Sequence, residues 1–190
     1  MSPAAAPRLS VDEYLALDRA GEVRYEFLNG EIFAMGGASW NHGLVNGNLA
    51  ALLRERLKGR GCFVQSSDLR VQVAATGLYA YPDLTVLCGP PQFADQAFDT
   101  LLNPRVIVEI LSASTAAYDR TVKFAHYRKL ESLQDYLLVA QDEMKVERYS
   151  RRSPHHWEYW ESLGVDDEVE IPSLAVRFPL SEIYDGVGSP

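Results

Sequence analysis

Four charged residues have types and positions that could do chemistry. Asp83 sits at the mouth of "LYAYPDLTVL", Glu109 lies inside the apolar run "RVIVEIL", Lys123 falls within "YDRTVKFAHYRKLESL", and Glu26 is on the first arm of "RYEFLNGEIFAM". Carboxylate oxygens are hard ligands that suit Mg²⁺ or Mn²⁺. Such an ion polarises a phosphodiester and lowers the pKa of a bound water. A nearby lysine can position that water or stabilise charge building on phosphorus. Taken together, these residue types point to phosphodiester hydrolysis.

Each residue alone has a plainer explanation. Pro82-Asp83 is ordinary turn chemistry, and a glutamate such as Glu26 before a hairpin turn ordinarily faces water. Glu109 shares a strand face with Ile107 and Leu111, while Val106, Val108 and Ile110 make the other face. A carboxylate there is costly without a cation, but a structural ion pair would suffice. On a helical wheel, Val122, Tyr127 and Leu130 form the core stripe, and Asp119 and Lys123 fall on it. Lys123 could therefore reach Glu109, or simply pair with Asp119 at i,i+4. The two are compatible.

The elements that must position these residues read as mixed α/β. Ser10 and Glu13 stand at capping-box spacing before a first helix. Asn29-Gly30 between alternating arms marks a hairpin. A second helix is expected from about Asn41 to Lys58, stopped by Gly59 and Gly61, with His42 as a helix N-terminal residue and no catalytic role. "CFVQSSDLRVQV" reads as one broken strand or two short ones, "LYAYPDLTVLC" as one strand, and "FADQAFDTLLNP" as an irregular connection. "RVIVEIL" is a central strand. After the third helix come strands in "DYLLVA", "KVERYSR" and "HHWEYWESL", and a terminal strand and short helix in "EVEIPSLAVRFPLSEIY". A central sheet flanked by helices is the expected architecture. Residues 1–8 read as a loose tail and residues 9–190 as a single domain.

The chain has 190 residues, 47% hydrophobic and 23% charged, and a net charge of −8. That is an ordinary globular composition. The acidic balance argues against tight nonspecific nucleic-acid binding, and the one dense basic cluster, "YSRRSPHH", reads as a solvated hairpin turn. Two cysteines, Cys62 and Cys88, are too few for a disulfide scaffold and too far apart for a zinc pair; small buried residues at strand ends are expected. No apolar run reaches the roughly 18 residues of a membrane helix, and the N-terminus lacks a signal-peptide block, so no membrane partner and a cytoplasmic location are expected.

The segments "RYEFLNGEI", "NHGLVNGNLAALL", "YPDLTVLC", "VIVEILSAST" and "YDRTVKFAHYRKLESLQDYLLV" resemble the Uma-two family of bacterial endonucleases. That family is a branch of the PD-(D/E)XK nuclease superfamily with the restriction-endonuclease-like fold. The resemblance implies that Asp83 is the motif aspartate and a metal ligand. It makes Glu109 the motif acid and second ligand, with the main-chain carbonyl of Ile110 as an additional one. Leu111 occupies the usual lysine position, and the lysine looks displaced onto the following helix as Lys123. Glu26 resembles the superfamily's N-terminal acid. Ala113 and Gln141 depart from the family pattern in loops. The expectation is an Mg²⁺-dependent (or Mn²⁺-dependent) DNA endonuclease, acting as a homodimer or higher homo-oligomer. The alternative is a catalytically silent oligomerising or partner-binding module with the same fold.

Overall fold

The computed structural model describes residues 8–188; all but the last residue of the expected tail lies outside them. In chain order the elements are α1 (Val11–Ala20), β1 (Tyr25–Leu28), β2 (Glu31–Ala34), α2 (Trp40–Leu57), β3 (Cys62–Ser66), β4 (Arg70–Val73), β5 (Leu78–Ala80), β6 (Leu84–Cys88), β7 (Thr100–Leu101) and β8 (Val106–Leu111). A helical segment follows: α3 (Ala116–Tyr118), a π-helical turn (Asp119–Lys123) and α4 (Phe124–Tyr127). Then come β9 (Asp135–Ala140), β10 (Lys145–Ser153), β11 (His156–Leu163), β12 (Glu168–Ile171), a 3-10 turn (Pro172–Leu174), β13 (Val176–Pro179) and α5 (Leu180–Ile183).

Local chemistry accounts for several boundaries. Ser10 and Glu13 form the capping box of α1. Asn29 and Gly30 both take positive φ, 52° and 91°, as a tight hairpin turn requires. Ser39 caps α2 by accepting from the His42 N–H.

A six-stranded sheet runs in the order β11-β10-β9-β8-β6-β3, and a five-stranded sheet in the order β2-β1-β5-β4-β7. The expected mixed sheet flanked by helices is therefore present. β8 is parallel to β9 and antiparallel to β6, and all six of its residues are buried. Val106, Val108 and Ile110 pack with Val45, Leu49 and Leu53 of α2. Ile107 and Leu111 pack on the opposite face with Tyr127 and Tyr136. Both faces of β8 are thus covered, which explains its unbroken apolar run.

Three expectations need correction. "LYAYPDLTVLC" is two strands: β5 belongs to the five-stranded sheet and β6 to the six-stranded one. Pro82 has no N–H to give a ladder, and the chain passes between sheets at Tyr81-Pro82-Asp83. The third helix is not regular. Its π turn shifts the side-chain phase, so Val122 is 38% exposed, and Phe124 instead stacks on Tyr149 and Tyr136 at 4.3 and 5.6 Å. The cysteines are not independent either. The antiparallel β3–β6 register sets Cys62 opposite Cys88, with Cα atoms 4.0 Å apart, and they form a disulfide. Sequence separation alone does not reveal that register.

The disulfide closes a loop with a sequence separation of 26 residues. A chain-entropy treatment gives about 3 kcal/mol for such a loop. Replacing both cysteines by serine, or adding a reductant, should lower the unfolding free energy by that order and move the denaturant midpoint down accordingly. Unchanged midpoints in oxidising and reducing buffer would contradict the pairing.

Candidate functional site

The β6–β8 register positions the first two acids. Leu84 pairs with Val108, so one step outward Asp83 comes opposite Glu109 on the same sheet face. Asp83 Oδ2 accepts the Ile110 main-chain N–H at 2.7 Å. Its Oδ1 lies 3.3 Å from Nε2 of His42, at the start of α2. Ile110 thus meets the site through its N–H, whereas the family resemblance directs attention to its carbonyl.

The π turn delivers Lys123 to the same place. Its Nζ stands 3.0 Å from Glu26 Oε1, 3.1 Å from Glu109 Oε1 and 3.5 Å from Asp119 Oδ1. The Glu109 pairing and the intrahelical Asp119 pairing therefore coexist. Glu26 reaches in from β1, and its Oε1 also accepts from the Tyr81 N–H at 3.5 Å. Tyr127 donates its hydroxyl to Glu109 Oε1 at 2.9 Å, and Tyr136 donates to the Asp119 carbonyl at 3.0 Å. All four residues singled out from the sequence come together, joined by Asp119, His42 and Tyr127.

The electrostatics follow from burial. Glu109 is 4% exposed. Desolvation pushes its carboxyl up to about 8, although the Lys123 ammonium opposes that rise. Burial alone would lower the Lys123 value. Glu109, Glu26 and Asp119 outweigh it and hold the ammonium above its ordinary range. Desolvation also raises Asp119, and the hydrogen bond to Asp83 raises His42.

The donor set is all carboxylate oxygen, which is the chemistry a hard divalent cation requires. Asp119 Oδ1 is buried, with the Lys123 ammonium 3.5 Å away and no closer donor. Among the described residues, no three His, Cys, Asp or Glu side chains already converge at ligand distance. Where Glu26, Glu109 and Asp119 come closest, the Lys123 ammonium lies between them. The residues therefore fit such an ion by donor type and need small side-chain shifts to enclose it.

Sequence reasoning did not assign His42 a role. Its partner Asp83 belongs to another element, and nothing local to "SWNHGL" announces the contact. Tyr127 was read only as core, because a tyrosine on an apolar stripe does not show where its hydroxyl ends.

Glu109 gives the protein a pH signature. Its proton is held more tightly in the folded chain than at the ordinary value of 4.5. Stability is therefore fully present below about 4.5 and is lost as pH rises toward about 8. His42, also raised, acts in the same direction. In chelator-treated protein, melting temperature should fall across this window, and Glu109→Gln should flatten the fall while leaving the His42 part. Parallel profiles for the two proteins would refute the assignment.

Comparison with known proteins places the chain in a family. The model of the Uma2 family, described as "Putative restriction endonuclease", matches residues 11–181. The uncharacterized protein slr1290 of Synechocystis sp. strain PCC 6803 is 36% identical over 187 residues, 98% of this chain and 97% of that one. A second protein of that strain, sll1609, is 34% identical over 168 residues, 88% and 95% of the two chains. The fold matches the crystal structure of "a putative nuclease belonging to DUF820" from Anabaena variabilis ATCC 29413. The TM-score is 0.76, over 93% of this chain and 97% of that one, at 21% identity. By the extent of the family match and the near full-length relatives, this chain belongs to the Uma2 family.

Proposed function

We propose that the protein is a metal-dependent endonuclease that hydrolyses DNA phosphodiester bonds. The observation that carries this reading is the buried Lys123 ammonium ringed by Glu26, Glu109 and Asp119, with Asp83 across the strand pair from Glu109. These carboxylates outnumber the cationic groups among them, and such an excess calls for a further cation. Glu26, Asp83 and Glu109 would hold Mg²⁺, with Mn²⁺ as a substitute and the Ile110 carbonyl as a further donor. The ion would supply Lewis-acid polarisation of the scissile phosphate.

The chain's own residues supply the rest. His42 and the Ile110 N–H fix both oxygens of Asp83, so its carboxylate arrives already oriented. Tyr127 holds one oxygen of Glu109, Oε1, which it shares with Lys123. Lys123, held as an ammonium, would orient the attacking water and stabilise negative charge on the phosphate oxygens as the new P–O bond forms and the bond to the leaving oxygen breaks. An exposed aromatic flanks the site. Phe33 pairs opposite Glu26 and is 47% exposed. Such rings can stack on unpaired bases.

Cutting both strands of a duplex favours a homodimer or higher homo-oligomer. Among the described residues no helix is long and apolar enough to cross a membrane, and a cytoplasmic location belongs to this proposal. In a reducing cytoplasm Cys62 and Cys88 would stand as thiols. One observation favours the silent-module alternative: Lys123 already neutralises part of the carboxylate cluster.

A nuclease assay on DNA and RNA with Mg²⁺ or Mn²⁺ decides between them. Wild-type protein should cut DNA and stop on chelation. Asp83→Asn and Glu109→Gln should lose activity, and Lys123→Met should lose on the order of 100-fold or more, with circular dichroism confirming that each folds. Equal cutting by wild type and Asp83→Asn would expose a contaminant. Well-folded wild type with no metal-dependent cutting of either nucleic acid would favour the silent module.

A further inference from the structure

The face of the six-stranded sheet opposite the carboxylates carries a second cluster of charge. Along β10, Val146, Arg148 and Ser150 share one face and Glu147, Tyr149 and Arg151 the other. Val146 lies in the core under β12 and β13, while Tyr149 packs on the side of Tyr127 and Tyr136. Arg148 therefore points away from the Lys123 site.

Two adjoining clefts open there. One, of about 270 Å³, is lined by Arg148, Arg152, Arg177 and Trp160. The other, of about 230 Å³, is lined by Arg105, Arg151, Arg152 and Ser173. They share Arg152 and Pro172. The arginine side chains on this face are Arg105, Arg148, Arg152 and Arg177, set among Asp135, Glu158, Glu168 and Glu170, in a chain of net charge −8.

Most of these groups already have partners. Arg177 pairs with Glu168 and Glu170 at 3.5 and 3.6 Å. Arg105 donates to the Ser173 carbonyl at 3.1 Å, and Arg151 caps carbonyls of Arg128, Leu130 and Leu133. Arg152 pairs with Glu158 at the surface. Arg148 is different. It is 8% exposed, gives one N–H to the Glu170 carbonyl, and stands 5.7 Å from the centre of the Trp160 ring. Its Nε is buried with no partner, and so is the Ser173 hydroxyl in the neighbouring cleft. A buried guanidinium with an unpartnered donor is costly, and an oxyanion in the adjoining cleft would offset its charge. A guanidinium's fork of donors matches phosphate oxygens.

We propose that this face is an anion site that takes a phosphate group, with Arg148 and Arg152 as its ligands, Ser173 as a neighbouring donor and Trp160 as its wall. Glu168 and Glu170, paired with Arg177, set the rim. The phosphate can be free or part of a nucleic-acid backbone, and the site stands independently of the nuclease reading.

Trp160 supplies the readout. Tryptophan fluorescence is followed as sodium phosphate is added at ionic strength held constant with sodium chloride, with Trp160→Phe identifying the reporting ring. Wild type should show a saturable change that Arg148→Met and Arg152→Gln each weaken at least tenfold. Arg152 is half exposed, so its substitution leaves the fold intact if Arg148→Met does not. A parallel titration uses a short DNA duplex in chelator, where no cutting occurs. A duplex response whose salt slope falls by about one on Arg152→Gln identifies backbone phosphate as the ligand. A response to phosphate alone identifies the free anion. No saturable change with either, or changes unaffected by both substitutions, overturns the proposal.

Discussion

The ion cluster around Lys123 is the constraint on which the rest of this structure depends. A buried ammonium and a buried carboxylate each cost several kcal/mol to desolvate, and only good mutual geometry recovers that cost. Losing one partner of such a pair typically costs 3–5 kcal/mol, because the other is left as an uncompensated charge. Glu109 and Lys123 are 4% and 8% exposed; without its carboxylates Lys123 would be an uncompensated buried charge, and without Lys123 the Glu109 carboxyl would be held still more firmly in its neutral form. A well-packed apolar pair would serve stability as well or better. Their presence on the core faces of β8 and the helical segment is thus an argument for function, since packing gives no reason for them.

The helical segment that carries the lysine is irregular. A regular α-helix would keep Asp119 and Lys123 inward and would also bury Val122 with Tyr127 and Leu130. The π turn across Asp119–Lys123 keeps the two charges inward, 3.5 Å apart, and turns Val122 out. π turns are rare and frequent at functional sites. Phe124 then fills the packing position on Tyr136 and Tyr149. The sheets solve the complementary problem. Because Pro82 ends one ladder and the chain enters another, Asp83 lies at a junction between sheets, where its carboxylate is only partly buried and a ligand can reach it.

How much of this could be read from sequence depended on the range of the interaction. Glu109 was conspicuous because it interrupts an apolar strand, and Lys123 because the wheel put it inward; both signals are local. The wheel failed for Val122, whose exposure depends on a π turn that no propensity announces. His42 and Asp83 lie 3.3 Å apart but belong to α2 and the β5–β6 junction, so only the folded chain joins them. The cysteine pair was hidden for the same reason, since strand register, unlike strand identity, leaves little trace in composition. "YSRRSPHH" did hold a hairpin turn, but the informative arginine was Arg148, just before it. Its importance comes from β12, Trp160 and an unpartnered Nε, none of them adjacent in sequence.

The two faces of the six-stranded sheet consequently carry opposite electrostatic demands. On one, Glu26, Asp83, Glu109 and Asp119 surround a single lysine, with His42 on Asp83. On the other, arginines line two clefts, and among the described residues Arg148 forms no ion pair. A polyanion approaching the carboxylate face meets repulsion that only cations can remove, and at a net charge of −8 the rest of the chain gives little relief. On the nuclease reading, a divalent ion has to screen this approach as well as take part in the chemistry. Metal concentration would then act on substrate binding before it acts on turnover, because the same carboxylates that hold the ion are the ones that otherwise repel the phosphate.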